Sequence, residues 1–144
     1  MNDTKLSRCL TGGLKPADWY RLLNSKVFFW TTPERLSRLA NAGPYKQFSH
    51  CILTLDTRKL VADYKDQITF SPINSGATRF ANPMRGLETF TRFEDFPYDA
   101  YRGKRSPNDI FVELTVRRGV NNILRYVENA NIVQGVTSLG HLYP

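Results

Sequence analysis

Cysteine, histidine and long apolar runs are scarce in this sequence of 144 residues. The two cysteines, Cys9 and Cys51, form no Cys-x-x-C pair and no Cys/His cluster. That removes the usual spacings of a zinc site and of a dithiol redox motif, and both read as plain structural thiols. The two histidines, His50 and His141, leave no Ser/His/Asp spacing, so neither a hydrolase triad nor a metal site is expected. The longest apolar stretch, Val27-Phe28-Phe29-Trp30, is strand-sized, far short of the roughly 18 residues that span a bilayer. The opening Met1-Asn2-Asp3-Thr4-Lys5-Leu6 has no apolar segment behind a basic one, so no secretory signal or membrane association is expected and the cytoplasm is the expected compartment. Repeats, low-complexity tracts and linkers are also missing. A single domain over residues 1–144 is therefore expected, with residues 1–12 and 135–144 fraying.

Positive charge is what the chain has in excess. Twenty Lys and Arg against thirteen Asp and Glu give a formal net charge of +7. An excess of that size attracts an anionic ligand, with nucleic acid, a nucleotide or an acidic protein as the candidate partners. The basic residues are scattered, so charge alone selects none of them.

The pattern along the chain predicts an α+β fold: five or six short strands in one small mixed or antiparallel sheet, with short flanking helices. Pro16 at a first-turn position, with Trp19, Leu22 and Leu23 at helical spacing, predicts a helix ending near Asn24-Ser25. Lys26 to Trp30 reads as a buried strand, with Phe28, Phe29 and Trp30 in the core. Thr31-Thr32-Pro33-Glu34 starts a second helix whose buried stripe is Leu36, Leu39 and Ala40. A strand from His50 to Asp56, a helix from Thr57 to Asp63 and a strand from Gln67 to Phe70 follow. Residues 71–92 and 96–109 read as long loops. Ile110, Val112, Leu114 and Val116 alternate with Phe111, Glu113 and Thr115, the mark of a half-buried strand. A turn at Arg118-Gly119, a helical stretch at Asn121–Leu124 and a strand from Tyr126 to Gln134 complete the expected elements.

Few residues stand out chemically. Glu113 lies on the strand face opposite the four aliphatic residues. It is either a solvated strand glutamate or a carboxylate that stabilises a developing cation in a partly dry cleft. The segment Ser71-Pro72-Ile73-Asn74-Ser75-Gly76-Ala77-Thr78-Arg79 supplies the groups that a phosphate or ribose needs: the hydroxyls of Ser71, Ser75 and Thr78, the amide of Asn74, a glycine and the Arg79 cation. A capped surface loop accounts for the same composition. Arg85-Gly86 and Arg92 extend the cationic character. His50 is a candidate donor to a ligand, and Tyr45, Tyr98 and Tyr101 are placed to stack on a base.

Trp19-Tyr20-Arg21-Leu22-Leu23-Asn24, Val27–Trp30, Ser71–Gly76, Arg85-Gly86 with Thr89-Phe90, and Val112-Glu113-Leu114 together resemble a bacterial domain family of unknown function, over about residues 6–133. The C-terminal part, Glu113 to Val116, then Gly119-Val120 and Ile132-Val133, is more distantly similar to the DarT-type ADP-ribosyltransferases that modify DNA. That second resemblance implies an ADP-ribosyltransferase-like fold and NAD as cofactor. It makes Glu113 the catalytic carboxylate and Arg79 or Arg85 the residue holding diphosphate or acceptor. The alternatives are a non-catalytic nucleotide- or nucleic-acid-binding module and an interaction subunit that assembles with a partner protein.

Overall fold

The structure, a computed structural model, describes residues 2–78, 83–106, 109–135 and 137–143. In chain order its elements are α1 (Asp3–Ser7), α2 (Pro16–Asn24), β1 (Lys26–Trp30), α3 (Pro33–Ala40), β2 (Ser49–Leu55), α4 (Thr57–Tyr64), β3 (Ile68–Ser71), β4 (Thr91–Arg92), α5 (Tyr98–Tyr101), β5 (Glu113–Arg117), β6 (Val127–Gln134) and β7 (Thr137–Tyr143). The fold is α+β. Two antiparallel sheets, ordered β1-β5-β3-β4 and β2-β6-β7, replace the one small sheet expected. The helix–strand alternation of the first half is present, but β1 and β3 join one sheet and β2 the other. The chain accordingly divides into two compact units, Met1–Thr31 with Asp66–Gly119 and Thr32–Lys65 with Val120–Pro144.

In the first unit, α2 starts as expected. Pro16 needs no N–H partner in the first turn, and the Lys15 N–H donates to Asp18 Oδ2 at 3.1 Å. The buried face of α2 is Trp19, which packs with Leu6 and Cys9 in a cluster flanked by Leu10, Leu14, Leu22, Leu23 and Phe90. The N-terminal segment, expected to fray, is held there. Arg85 N–H donates to Cys9 O at 2.8 Å, and Thr11 N–H donates to Arg85 O at 2.9 Å.

The strand at Lys26–Trp30 forms, but as the sheet's edge rather than its interior. Val27 is 39% and Phe28 36% exposed, because β1 pairs with β5 alone. The strand expected to be half-buried is the interior one. It begins at Glu113, not Ile110, and with β1 on one side and β3 on the other it is buried on both faces from Glu113 to Val116. Loop 71–92 is more structured than its composition suggested: it carries a one-turn 3-10 helix at Leu87–Thr89 and then β4. In loop 96–109, Tyr98 and Tyr101 pack on Phe96 rather than standing free for a base. Phe70 gathers Phe93, Phe96 and Phe111 around it, the last stacked at 4.2 Å.

In the second unit, Thr32 caps α3 by accepting from Arg35 N–H at 3.4 Å. Asp56 caps α4, accepting from the N–H groups of Arg58 and Lys59 at 3.0 and 3.1 Å. The Lys59 N–H on the carboxylate holds the Asp56 carboxyl below its ordinary range. The C-terminal residues expected to fray form β7, antiparallel to β6 with two register shifts. Leu60, Tyr126, Ala130 and Ala40 are the buried apolar side chains of this unit among the described residues. No helix among them is long and apolar enough to cross a membrane.

Candidate functional site

Antiparallel partners share a sheet face, so the register divides the first unit's sheet in two. On one face lie Val27, Val116 and Ile68, then Phe29, Leu114 and Phe70. On the other lie Phe28, Thr115 and Thr69, then Trp30, Glu113 and Ser71. The second face carries the polar side chains, and three of them are buried: Ser71 and Thr115 have no exposed surface and Glu113 is 4% exposed. Buried hydroxyls need partners, and Thr69 Oγ1 and Thr115 Oγ1 find each other at 2.6 Å. Lys26 Nζ donates to Thr69 Oγ1 at 3.1 Å and lies 4.6 Å from the centre of the Phe90 ring. Burial, with Arg117 nearby, holds the Lys26 amine below its ordinary pKa.

Glu113 is therefore not the solvated strand glutamate of the plainer reading. The N–H of Ser75 reaches both of its oxygens, at 3.2 Å each. Ser75 is held from the other side as well, since its carbonyl accepts from Trp19 Nε1 at 3.3 Å and from Arg85 Nη1 at 3.0 Å. The loop leading to it is folded on itself. Ser71 Oγ donates to Ile73 O at 2.8 Å, and Arg105 Nη1 donates to Pro72 O at 2.6 Å. Two buried atoms in this cluster, Ser75 Oγ and Arg85 Nη2, have no hydrogen-bond partner among the described residues.

Of the residues singled out in the sequence, Ser71, Ser75, Arg85 and Glu113 come together. Asn74 is exposed on the loop and Thr78 is buried within it. Arg79 lies outside the described residues. His50 belongs to the second unit, where its Nε2 is 3.0 Å from Tyr45 O and its ring meets that of Tyr45 edge-on. Arg85 departs most from expectation. It is completely buried, and its guanidinium bonds the carbonyls of Pro83, Ser75 and Ala77 instead of facing solvent.

Trp19 and the Lys26–Thr69–Thr115 layer were not anticipated as part of this cluster. Trp19 carried a readable signal: a buried indole must place its N–H, and no partner lies within helical reach. Among the described residues no group of three His, Cys, Asp or Glu could hold a metal ion. Chemically, the arrangement can do two things. A dry carboxylate can stabilise positive charge beside it, and a carboxylate on a loop N–H can fasten that loop to the sheet.

No curated protein and no solved structure matches this chain. The model of DUF7002, a family of unknown function, matches residues 1–127, and the chain belongs to that family.

Proposed function

We propose that this chain is an ADP-ribosyltransferase-like protein that takes NAD, with Glu113 as the carboxylate acting at the ribose and nucleic acid as the acceptor suited to its net charge of +7. One observation carries the reading: Glu113 is a buried carboxylate at the head of an interior strand, joined through Ser75 to a loop in which Ser75 Oγ and Arg85 Nη2 have no hydrogen-bond partner among the described residues. In chain order a tight turn at Arg118-Gly119 (both with positive φ), a 3-10 helix at Ile123–Tyr126 and the strand β6 follow Glu113, but β6 joins the second sheet and does not pair with β5.

By chemistry a carboxylate and a hydroxyl suit ribose hydroxyls. Glu113 and Ser75 are only 4% and 1% exposed, however, so a ribose meets them only where the loop of Ser75 moves aside. Exposed Asn74 lies next to Ser75 in the chain. Bound NAD would supply a nicotinamide–ribose bond whose cleavage leaves positive charge on the sugar. A carboxylate in a water-poor place stabilises that charge far better than one in water. Glu113→Gln removes the charge and keeps the side chain's shape, leaving Ser75 N–H a neutral and weaker acceptor. Glu113→Gln should abolish NAD-dependent labelling and leave the unfolding transition in place. Full activity in that variant would sink the assignment.

A second reading has its own support. Glu113 is 4% exposed and already bonded, which is how a carboxylate with a purely structural task would look. The chain is then a basic nucleotide- or nucleic-acid-binding module. Its affinity for a DNA oligonucleotide would fall steeply with added salt and would be the same in Glu113→Gln as in the wild type.

A further inference from the structure

We infer that Arg85 is a positioning residue that fixes the Glu113 carboxylate through Ser75, so that a nucleotide's diphosphate is held by other groups. The inference rests on Glu113 being the reacting carboxylate. Arg85 has no exposed surface, and a buried guanidinium is tolerable when most of its N–H groups are bonded. Nε donates to Pro83 O at 3.2 Å, and Nη1 donates to Ser75 O at 3.0 Å and to Ala77 O at 2.9 Å. The planar fork thus draws three carbonyls of one loop toward one centre, which a lysine's single ammonium cannot copy.

The base of the fork is equally fixed. Arg85 N–H donates to Cys9 O and Arg85 O accepts from Thr11 N–H, so its main chain is paired to a segment 74 residues away in sequence. A Cβ on its neighbour Gly86 would lie 2.1 Å from Thr11 Oγ1, so that hydroxyl would have to move to admit one. From this anchor the side chain reaches Ser75, the residue whose N–H sits on Glu113. Holding the Ser75 carbonyl limits where its N–H can point, and that N–H in turn limits where the carboxylate can go. A diphosphate needs accessible donors, and in Arg85 only Nη2 is left without a partner among the described residues.

The test uses the full chain without ligand and follows the Ser75 amide by NMR hydrogen exchange. Exchange at Ser75 is expected to quicken about tenfold or more in Arg85→Gln and in Glu113→Gln, with Arg85→Lys in between. Combining Arg85→Gln with Glu113→Gln should add nothing to the effect of Glu113→Gln alone, since both act on one link. A folded Arg85→Gln whose Ser75 amide is unchanged overturns the inference. Where the Arg85 variants fail to fold, the wild-type chain decides: a Ser75 amide that exchanges as fast as an open loop amide overturns the inference.

Kinetics separate positioning from ligand contact. Arg85→Lys should lower kcat for NAD turnover about tenfold to a hundredfold with KM unchanged. A raised KM with kcat intact would make Arg85 a diphosphate ligand and overturn the inference. A wild-type chain that turns over no NAD removes the proposed function instead. The exchange results then still decide whether Arg85, Ser75 and Glu113 are coupled.

Discussion

The two units differ in what they bury: among the described residues the buried polar side chains all lie in the first. The first sheet buries polar side chains on one face: Glu113, Thr115 and Ser71 are sealed in, with Lys26 and Thr69 completing the layer. The second sheet leaves apolar side chains outside, with Leu53 42%, Leu139 53% and Leu142 60% exposed. Burying polar groups is costly unless they are bonded, so the first unit's bonded groups are held in one arrangement. The second unit has few buried side chains to specify one packing. Its described hydrogen bonds between α4 and the segment before β6 are correspondingly important. Tyr126 OH donates to Asp63 Oδ2 at 2.7 Å, and Asn121 N–H donates to Tyr64 Oη at 2.8 Å.

The contrast is broken most directly from the apolar side of the first sheet. Phe70 is 3% exposed and meets the rings of Phe93, Phe96, Tyr98 and Phe111. Phe70→Ala should cost about 3–5 kcal/mol, since the rings around it cannot all close on the space left. Chemical denaturation would read it. A loss below about 1 kcal/mol would mean that this ring cluster is not the first unit's core, because that is the scale of an ordinary point substitution.

The second unit is probed by pH. The hydrogen bond to the Asp63 carboxylate, and burial after it, push the Tyr126 phenol up to about 12. In an unfolded chain a tyrosine ionises near about 10. The folded state therefore keeps the proton to higher pH than the unfolded one. The contribution is fully present below about pH 10 and is lost as pH rises toward about 12. Tyr20 and Tyr98 of the first unit are also raised, the first chiefly by its hydrogen bond to Asp3 and the second by burial. The comparison needed is thus between wild type and Tyr126→Phe. The variant should start less stable at neutral pH and lose less between about pH 10 and 12. Equal alkaline losses in the two proteins would show that this bond does not tie α4 to the Ile123–Tyr126 turn.

What the sequence revealed follows the range of the interactions involved. Helices α2 and α3 were legible because a first-turn proline and an apolar stripe, with a threonine cap in α3, lie within a few residues of one another. Glu113 was legible as a strand residue because alternation is local, whereas Ser71, which read as the first residue of a loop, ends β3. That the two face each other in register is a matter of pairing, which alternation does not encode. The role of Arg85 was hidden for the same reason. Its side chain acts within the loop, but its main chain pairs with Cys9 and Thr11, and an arginine's burial has no local signature. Strand β7 escaped notice because Gly140 and two register shifts interrupt its pattern, so Leu139 and Leu142 do not alternate with polar residues in step.

The same irregularity sets the smallest expected effect. An apolar residue on a regular sheet face is packed by its cross-strand neighbours, but the shifts between Ala130 and Asn131 and between Ile132 and Val133 put β7 out of step with β6. Leu142 is left 60% exposed. Replacing it removes little buried area, so Leu142→Ser should change stability by no more than about 0.5 kcal/mol. It should also leave the Ser75 amide of the first unit untouched. A loss several times larger in thermal unfolding would show that this side chain is covered in solution. The second unit would then own a buried apolar surface comparable to the first, and the contrast between the two sheets would have to be redrawn.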